Sequence, residues 1–560
     1  MTQPTIRLGD LLKDKGLLSD RHIQYALQEQ RVTGQKLGQV LTGIGIVSEF
    51  DLIHALSSQL GLDHIDLDKE APDMALLRRF NRGTCLNLRL FPLRPEGDVV
   101  LVATSGLPDA AMEQACLRFT GKKPRFLLAE ESKIVSSIYN YFFFLENPVE
   151  DILEREAKTL ANDTTLTTSP DRFVEYLLLL AIKERTSDIH IRPMEHGINV
   201  AFRVDGVLKS VRFYPPSLKR VLSTIKLGAG MDISEQRLPQ DGRWSATLLH
   251  RKFDIRVSSL VTPYGENLVL RLLPQERGSF SLRALGFLPE DLDRLAMAFQ
   301  EPFGIILLTG PTGSGKSTTL VAGLSSLDLL GKNVLTVENP IEYIVPLARQ
   351  TQVNEAAGYD FANAMRYFLR HDPDIILIGE MRDELTAKTA ITAATTGHLV
   401  LSTLHSNTAL GAIPRLKGLG LDNLSMAESL VAVVSQRLVR TICGQCQEAY
   451  TPSDAELIYL GAKTTTLYRG KGCPACGQSG YRGRTLLYEI LFITPEMRQL
   501  LEEDASLHAL ETLAVNQGFT TMFDIGVKKA LAGDTTIDEL QRVLGSSRYT
   551  SITSATSSAF

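Results

Sequence analysis

The chain has 560 residues, too many for one hydrophobic core, and its length points to about three to four domains. With 44% hydrophobic and 22% charged residues it is composed like a folded globular protein, which excludes a fibrous or largely disordered chain. The 59 Lys+Arg against 64 Asp+Glu leave a net charge of −5, which excludes a global basic field that would recruit nucleic acid or anionic lipid.

The first sixteen residues, MTQPTIRLGDLLKDKG, lack the apolar core of a signal peptide. The most apolar runs, VEYLLLLAI and FGIILLTG, fall short of the ~20 residues that span a bilayer. The expectation is a cytoplasmic chain with no direct membrane insertion. An internal repeat follows. Residues 7–30 (RLGDLLKDKGLLSDRHIQYALQEQ) align without gaps on 36–59 (KLGQVLTGIGIVSEFDLIHALSSQ). Identical pairs are Leu8/Leu37, Gly9/Gly38, Leu12/Leu41, Gly16/Gly45, Ser19/Ser48, Ala26/Ala55, Leu27/Leu56 and Gln30/Gln59. Each unit reads as a short helix closed by Gly16 or Gly45 and a second helix capped at Ser19 or Ser48.

Residues 66–145 mix a strand-like run, DVVLVATS, with helical segments, as in a small α/β module. The stretch 146–170, with LANDTTLTTSP, is polar and predicts a linker. A second α/β segment, 171–285, carries SDIHIRP, AFRVDG, QDGR and DIRVS. Residues 286–435 alternate apolar strand runs with helical patterns, which implies a parallel sheet. A cysteine-bearing module is expected at 436–485, a helical segment at 486–545 and a disordered Ser/Thr-rich tail at 546–560.

The strongest chemical signal is Gly310-Pro311-Thr312-Gly313-Ser314-Gly315-Lys316-Ser317-Thr318, a complete phosphate-loop motif between the strand-like GIILLT and a helical run. Glycines let main-chain N–H groups curl around phosphates, and the helix N-terminus adds partial positive charge. Lys316 is expected to reach the β- and γ-phosphates of ATP, and the Ser317 hydroxyl to ligate Mg²⁺. Downstream, DIILIGEMRD (374–383) is an apolar strand ending in Glu380, the form of a Walker B acid. Cys443-x2-Cys446 and Cys473-x2-Cys476, 26 residues apart, have the form of a tetrahedral Cys₄ site selecting Zn²⁺ for a structural role. A redox pair or a nucleic-acid zinc ribbon are the competing readings of the same quartet, while Cys85 and Cys116 read as core residues.

TVENPIEY (336–343), DIILIGEMRD and TTGHLVLSTLHSN (395–407) resemble the Asp box, Walker B segment and His box of secretion ATPases, the superfamily of type II secretion and type IV pilus motors. The resemblance covers about residues 170–545. It implies an α/β multidomain architecture in which a RecA-like P-loop ATPase core follows a smaller α/β domain. It also implies assembly as a homohexamer acting on an inner-membrane platform protein and the assembly subunits of a pilus or secretion machine, peripheral at a bacterial inner membrane. By position, Glu338 would orient the attacking water and Glu380 would be the Walker B acid. His398 and His405 would sense the γ-phosphate or transmit its loss, and Arg243 and Arg256 would be fingers delivered to that phosphate. Arg203 and Arg237 are further finger candidates, and any of these arginines could instead be a surface residue paired with a carboxylate. The family usually has Asp at position 339 and Glu at position 192; this chain has Asn339 and Arg192. The Cys₄ module is carried by the family's extension and secretion motors.

The repeat resembles the cyclic di-GMP-binding domain of some type II secretion and mannose-sensitive haemagglutinin-type pilus ATPases, placing that domain at 1–65. On that resemblance Arg7, Leu8, Gly9, Leu12 and Gln30 in one unit, and Lys36, Leu37, Gly38, Leu41 and Gln59 in the other, would contact a two-fold symmetric dinucleotide. Arg7 and Lys36 supply cations, although lysine cannot stack or bind bidentately as arginine does. Asp109 is an additional candidate from the next module, and a platform-docking repeat without ligand is the alternative. The sequence thus predicts an ATP-hydrolysing motor for pilus assembly or protein secretion, regulated by cyclic di-GMP. A DNA-uptake pseudopilus ATPase or a nucleic-acid translocase on the same core is the rival; no nucleic-acid partner is expected.

Overall fold

The computed structural model describes residues 7–163, 165, 167–275 and 280–545; the tail 546–560, expected to be disordered, lies outside them. The chain forms two compact units, one of 1–15, 49–277 and 342–344, the other of 16–48, 278–341 and 345–560. Among the described residues, no helix is long and apolar enough to cross a membrane.

In the first unit, β1 (Leu90–Glu96) pairs antiparallel with β2 (Val99–Thr104), and β2 pairs in parallel with β3 (Lys123–Leu128). A parallel pair needs a crossover, which helix Ala110–Thr120 supplies. The predicted linker 146–170 is a correction: most of it is the helix Val149–Asn162. Its Val149, Leu153, Ala157 and Leu160 recur at helical spacing and lie in the core of the following domain.

That domain is built on β4 (Thr186–Met194), β5 (Gly197–Val204), β6 (Val207–Tyr214), β7 (Gln240–Leu248), β8 (Arg251–Thr262) and β9 (Gly265–Pro274), antiparallel throughout and ordered β6-β5-β4-β9-β8-β7. Side chains alternate across a strand, so one face is apolar, with Ile189, Ile191, Ile255, Val257, Leu268 and Leu270 packed in the same core as helices Asp171–Lys183 and Arg220–Gly228. The other face carries Asp188, Arg203, Arg243, Asp254, Arg256 and Arg271.

The second unit holds β10 (Gly304–Thr309), β11 (Val334–Glu338), β12 (Arg349–Gln352), β13 (Ile375–Ile378), β14 (Leu399–Leu404), β15 (Leu430–Ile442) and β18 (Tyr481–Phe492) in one sheet ordered β12-β11-β13-β14-β10-β15-β18. All neighbours are parallel except β15 and β18. Every residue of β10, β13 and β14 is buried, as expected for parallel strands covered on both faces. Close helix packing depends on Gly323, where a Cβ would lie 2.2 Å from Phe299. The cysteine segment, with β16 (Gln447–Tyr450) paired to β17 (Leu467–Gly470), is an insertion between β15 and β18. The predicted boundary at 436 therefore falls inside β15, because that strand runs on to Ile442. Helices from Pro495 to Leu544 close the unit.

The four predicted repeat helices are Leu8–Asp14, Asp20–Thr33, Leu37–Gly43 and Glu49–Leu60. Gly16 and Gly45 take φ +71° and +77°, which glycine adopts without strain. The Ser19 hydroxyl accepts from the His22 N–H, the predicted cap.

Candidate functional site

Strand β10 ends at Thr309, and the loop 310–315 turns through three positive-φ glycines, Gly310, Gly313 and Gly315, into helix Lys316–Ser325. Gly310 has no alternative: a Cβ there would lie 2.4 Å from the Gln436 carbonyl oxygen. Pro311, Thr312 and Gly313 are exposed, whereas Ser314 is buried. Lys316 Nζ donates to the carbonyl oxygens of Gly310 (2.8 Å) and Pro311 (3.1 Å), so it lies over the loop; Ser317 and Thr318 occupy the first helical turn behind it.

Because β10, β11, β13 and β14 are parallel, their carboxyl ends gather at one edge of the sheet, where ligands of open α/β sheets bind. Glu338 closes β11, with Oε1 accepting from the Thr336 hydroxyl (2.7 Å) and Gln350 Nε2 (3.0 Å). Asn339 follows it. Glu380 stands two residues beyond β13, beside Glu338, since the Gly379 N–H donates to the Val337 carbonyl at 2.8 Å. The Glu380 side chain is largely buried, pairs with Arg382, and lies 3.7 Å from His405 Nε2, one residue past β14. The phosphate loop, Glu338, Glu380 and His405 thus share one edge.

His398 does not join them. It precedes β14 at the opposite end, where its carbonyl accepts from the Gly304 N–H and its Nδ1 lies 2.8 Å from the Ala393 carbonyl oxygen. The six residues of β14 separate it from His405 by about 20 Å. His398 therefore does not stand at the phosphate-loop edge of its own sheet; its ring lies instead against the end of helix Glu384–Thr395.

Residues not singled out from sequence support this edge. Gln436, fully buried, donates from Nε2 to the Ser314 carbonyl at 2.8 Å. On either side of it, the Ser435 hydroxyl donates to the Asn407 carbonyl and Arg437 reaches the Asn407 side chain. Glu489 is buried and accepts from the main-chain N–H groups of Ala409 (2.6 Å) and Met522 (3.3 Å); burial pushes its carboxyl above the usual range against those two hydrogen bonds. A polar triplet interrupting the apolar run LVAVVSQRLV was the signal available for Gln436.

In the first unit, Arg243 donates to Asp254, and Arg256 lies beside the same carboxylate. Asp109 caps helix Ala110–Thr120 by accepting from the Met112 N–H at 2.8 Å. In the repeat, Arg7 and Lys36 are the residues from which helices Leu8–Asp14 and Leu37–Gly43 start, so Leu8, Gly9, Leu37 and Gly38 form their first turns. Leu12 and Leu41 have no exposed surface, which makes them packing residues instead of the expected ligand contacts. Gln30 donates to the Gln35 carbonyl at 2.9 Å, and Gln59 lies in the last turn of Glu49–Leu60.

The four cysteines Cys443, Cys446, Cys473 and Cys476 converge, with Sγ atoms all within 4.8 Å of one another. Sγ separations of 3.7, 3.8 and 3.9 Å match the edge of about 3.8 Å that Zn–S bonds of ~2.3 Å give in a tetrahedron. The N–H groups of Cys473 and Gly480 point at Cys476 Sγ at 3.2 and 3.3 Å, a donor pattern that suits a thiolate. The residues fit a closed Zn²⁺ site.

A phosphate loop on a buried strand, with two acids and a histidine at the ends of its parallel neighbours, defines a P-loop ATPase core of RecA-like type. Residues 167–542 match the family described as Type II/IV secretion system protein, and residues 60–142 match the MshEN domain. The chain belongs to the Type II/IV secretion system protein family and is an ATPase. It is 35% identical over 555 residues, 95% of this chain and 98% of the relative, to the type IV pilus assembly ATPase PilB of Myxococcus xanthus. It is 45% identical over 376 residues, 66% of this chain and 76% of the relative, to the putative type II secretion system protein E of Escherichia coli. The X-ray structure of the Legionella pneumophila ATPase DotB, 21% identical, superposes with a TM-score of 0.51 over 68% of this chain and 97% of that one, a likeness of fold. The MshEN match begins at residue 60, so it takes in the three-stranded module and lies downstream of the repeat 7–59.

Proposed function

We propose that this chain is the subunit of a homohexameric motor whose ATP hydrolysis drives assembly of a type IV pilus or of a type II secretion filament. In this reading it acts from the cytoplasmic side on an inner-membrane platform protein. The observation that carries the reading is the convergence of Lys316, Glu338, Glu380 and His405 on one sheet edge around the phosphate loop. Water attacks the γ-phosphorus in line, the bond to the β,γ-bridging oxygen breaks, and Glu338 orients the water and takes up its proton. Lys316 and the loop N–H groups hold the β- and γ-phosphates, while His405 reports the state of the γ-phosphate to Glu380. The Ser317 hydroxyl and Glu380 carboxylate are hard oxygen donors that fit Mg²⁺, which when bound neutralises phosphate charge. Arg243 and Arg256 reach the γ-phosphate of a neighbouring copy, and the cysteine quartet holds a structural Zn²⁺.

At the N-terminus, the helix starts at Arg7 and Lys36 offer cations and main-chain N–H groups to the two phosphates of cyclic di-GMP, making the motor messenger-regulated. Single-turnover phosphate release tests the engine: Lys316→Ala is expected to abolish it, and hydrolysis retained in that variant overturns the assignment. Calorimetric titration of cyclic di-GMP into the full chain tests the regulation. Binding lost in Arg7→Ala is expected; no binding up to ~hundreds of micromolar leaves the repeat as a docking module.

A further inference from the structure

The polar face of the six-stranded sheet carries a single cross-strand rank of arginines. Register pairs Arg203 with Asp188, Asp188 with Arg271, Arg271 with Arg256, and Arg256 with Arg243, one residue from each of five adjacent strands. Directly paired residues stand about 5 Å apart on the same face, and like charges so placed repel. Asp188 sits within the rank, and Asp254, two residues before Arg256 on β8, shares its face.

The two carboxylates divide the arginines between them. Asp254 Oδ1 accepts from Arg243 Nε at 2.5 Å, and its Oδ2 lies 3.8 Å from Arg256 Nε. Asp188 Oδ1 accepts from Arg271 Nε at 2.9 Å, and its Oδ2 lies 3.9 Å from Arg203 Nε. Both aspartates are buried, whereas the Arg243 side chain is 52% exposed. The acids therefore stand at the base of the rank, each hydrogen-bonded to the Nε of one arginine, Arg243 or Arg271, and within ion-pair distance of the Nε of a second, Arg256 or Arg203. Arg256 is the crowded member: burial and the cations Arg243 and Arg271 lower its pKa, with Asp254 and Glu342 opposing. Its Nη2 is buried without a hydrogen-bond partner among the described residues. A buried carboxylate shared by two partly exposed arginines is a poor device for stabilising a sheet, since the cost of desolvating the acid offsets much of the attraction. It is an effective device for holding two guanidinium groups side by side against their repulsion.

We propose that Asp254 is a positioning residue of the ATPase reaction, holding Arg243 and Arg256 as a two-pronged receiver for the γ-phosphate. The inference rests on the reading of those arginines as fingers. Asp254 touches neither nucleotide nor water; it sets the spacing of the groups that do. Removing its charge lets the prongs separate, which weakens contacts made in the transition state more than contacts made to bound ATP.

Steady-state hydrolysis by the full chain tests this with Asp254→Asn, Asp254→Glu, Arg243→Gln and the Asp254→Asn/Arg243→Gln double variant, each checked for an unchanged melting temperature. Asp254→Asn is expected to lower kcat about 10- to 100-fold with KM for ATP within about twofold of the parent. Asp254→Glu should recover part of the loss, and the double variant should be no slower than Arg243→Gln alone, because both changes remove one unit of function. A parental kcat in Asp254→Asn, or losses that multiply in the double variant, overturns the proposal. If Arg243→Gln itself keeps the parental kcat, the finger reading fails instead, so the two failures are distinguishable. Should Asp254→Asn melt early, the Asp254→Glu variant and the cycle with Arg243→Gln decide the question by the same criteria.

Discussion

Gln436 Nε2 donates to the carbonyl oxygen of Ser314 at 2.8 Å, tying the fifth residue of the phosphate loop to the strand beside it. The Gln436 side chain has no exposed surface, and its Oε1 is buried without a partner among the described residues. The amide is therefore held for its donor, and the loop cannot shift without leaving a buried carbonyl unpaired. Such an orphan costs about 1–3 kcal/mol. Gln436→Met keeps the volume and removes the donor, so nucleotide affinity is expected to fall roughly 10-fold and the melting temperature to drop by about a few degrees. Gln436→Glu should be worse, because it turns a carboxylate toward the Ser314 carbonyl. Titration of a fluorescent ATP analogue reads both effects, and parental affinity in Gln436→Met would remove Gln436 from the site.

The phosphate loop, the acid just past β13 and the cysteine pairs were legible because each is written in local spacing: a few neighbouring residues mark the motif wherever the fold places it. His398 was not legible. It lies seven positions before His405, and nothing local says that a fully extended β14 carries the two to opposite ends of the sheet. The arginine rank was hidden for the same reason, since Arg203 and Arg243 come into line only through the register of β5, β4, β9, β8 and β7. The helix Val149–Asn162 was written in the sequence as a clear apolar stripe, but the polar run that follows it masked the pattern.

The cysteine quartet sits between β15 and β18, the two longest strands of the core sheet, so a bound metal would staple their far ends. One Zn²⁺ per chain is expected by elemental analysis of the purified protein. Cys446→Ser, or prolonged treatment with a strong chelator, should lower the melting temperature and release that ion, because binding to the folded site alone adds to folding free energy. ATP affinity measured below the new melting temperature should change little, since a closed four-thiolate site has a structural role. Absence of metal in the purified protein, with unchanged melting in Cys446→Ser, would refute the assignment.

Glu539 has no exposed surface and accepts from the Arg440 N–H and from the guanidinium groups of Arg440 and Arg542, pinning helix Ile537–Leu544 to β15. Burial alone would raise its carboxyl; the bonds from Arg542 and Arg440 outweigh it and lower the pKa from 4.5 to about 2. A depressed carboxylate stabilises the fold above its unfolded pKa, and the contribution disappears as pH falls from about 4.5 to about 2. At 1.36 kcal/mol per unit the contribution at neutral pH is about 3 kcal/mol. Glu539→Gln is expected to unfold earlier than the parent at pH 7, with the gap narrowing as both are titrated from about pH 4.5 toward pH 2. A gap that stays constant across that window would show that packing, not charge, holds the helix.

Helix Asp20–Thr33 of the repeat is anchored on the segment that follows the phosphate-loop helix: His22 Nε2 lies 2.8 Å from Asp328 Oδ1, and Arg21 donates to the Leu330 carbonyl at 3.0 Å. His22 also closes the capping box of its own helix, so one side chain joins the start of a repeat helix to the ATPase core. A ligand bound at the repeat can change the ATPase rate only by as much as it favours one arrangement of this contact over another. Asp328→Ala removes the acceptor on the core side of the His22 contact and leaves the phosphate loop and the sequence of the repeat unchanged. Basal hydrolysis is expected to stay within about twofold, while the ratio of rates with and without saturating cyclic di-GMP moves toward one. The same contact is expected to couple the two binding equilibria, so ATP should shift the affinity for the dinucleotide less in this variant than in the parent, which calorimetry reads directly. An unchanged ratio in Asp328→Ala would mean that the two sites communicate by another route, because the contact would then carry none of the coupling free energy.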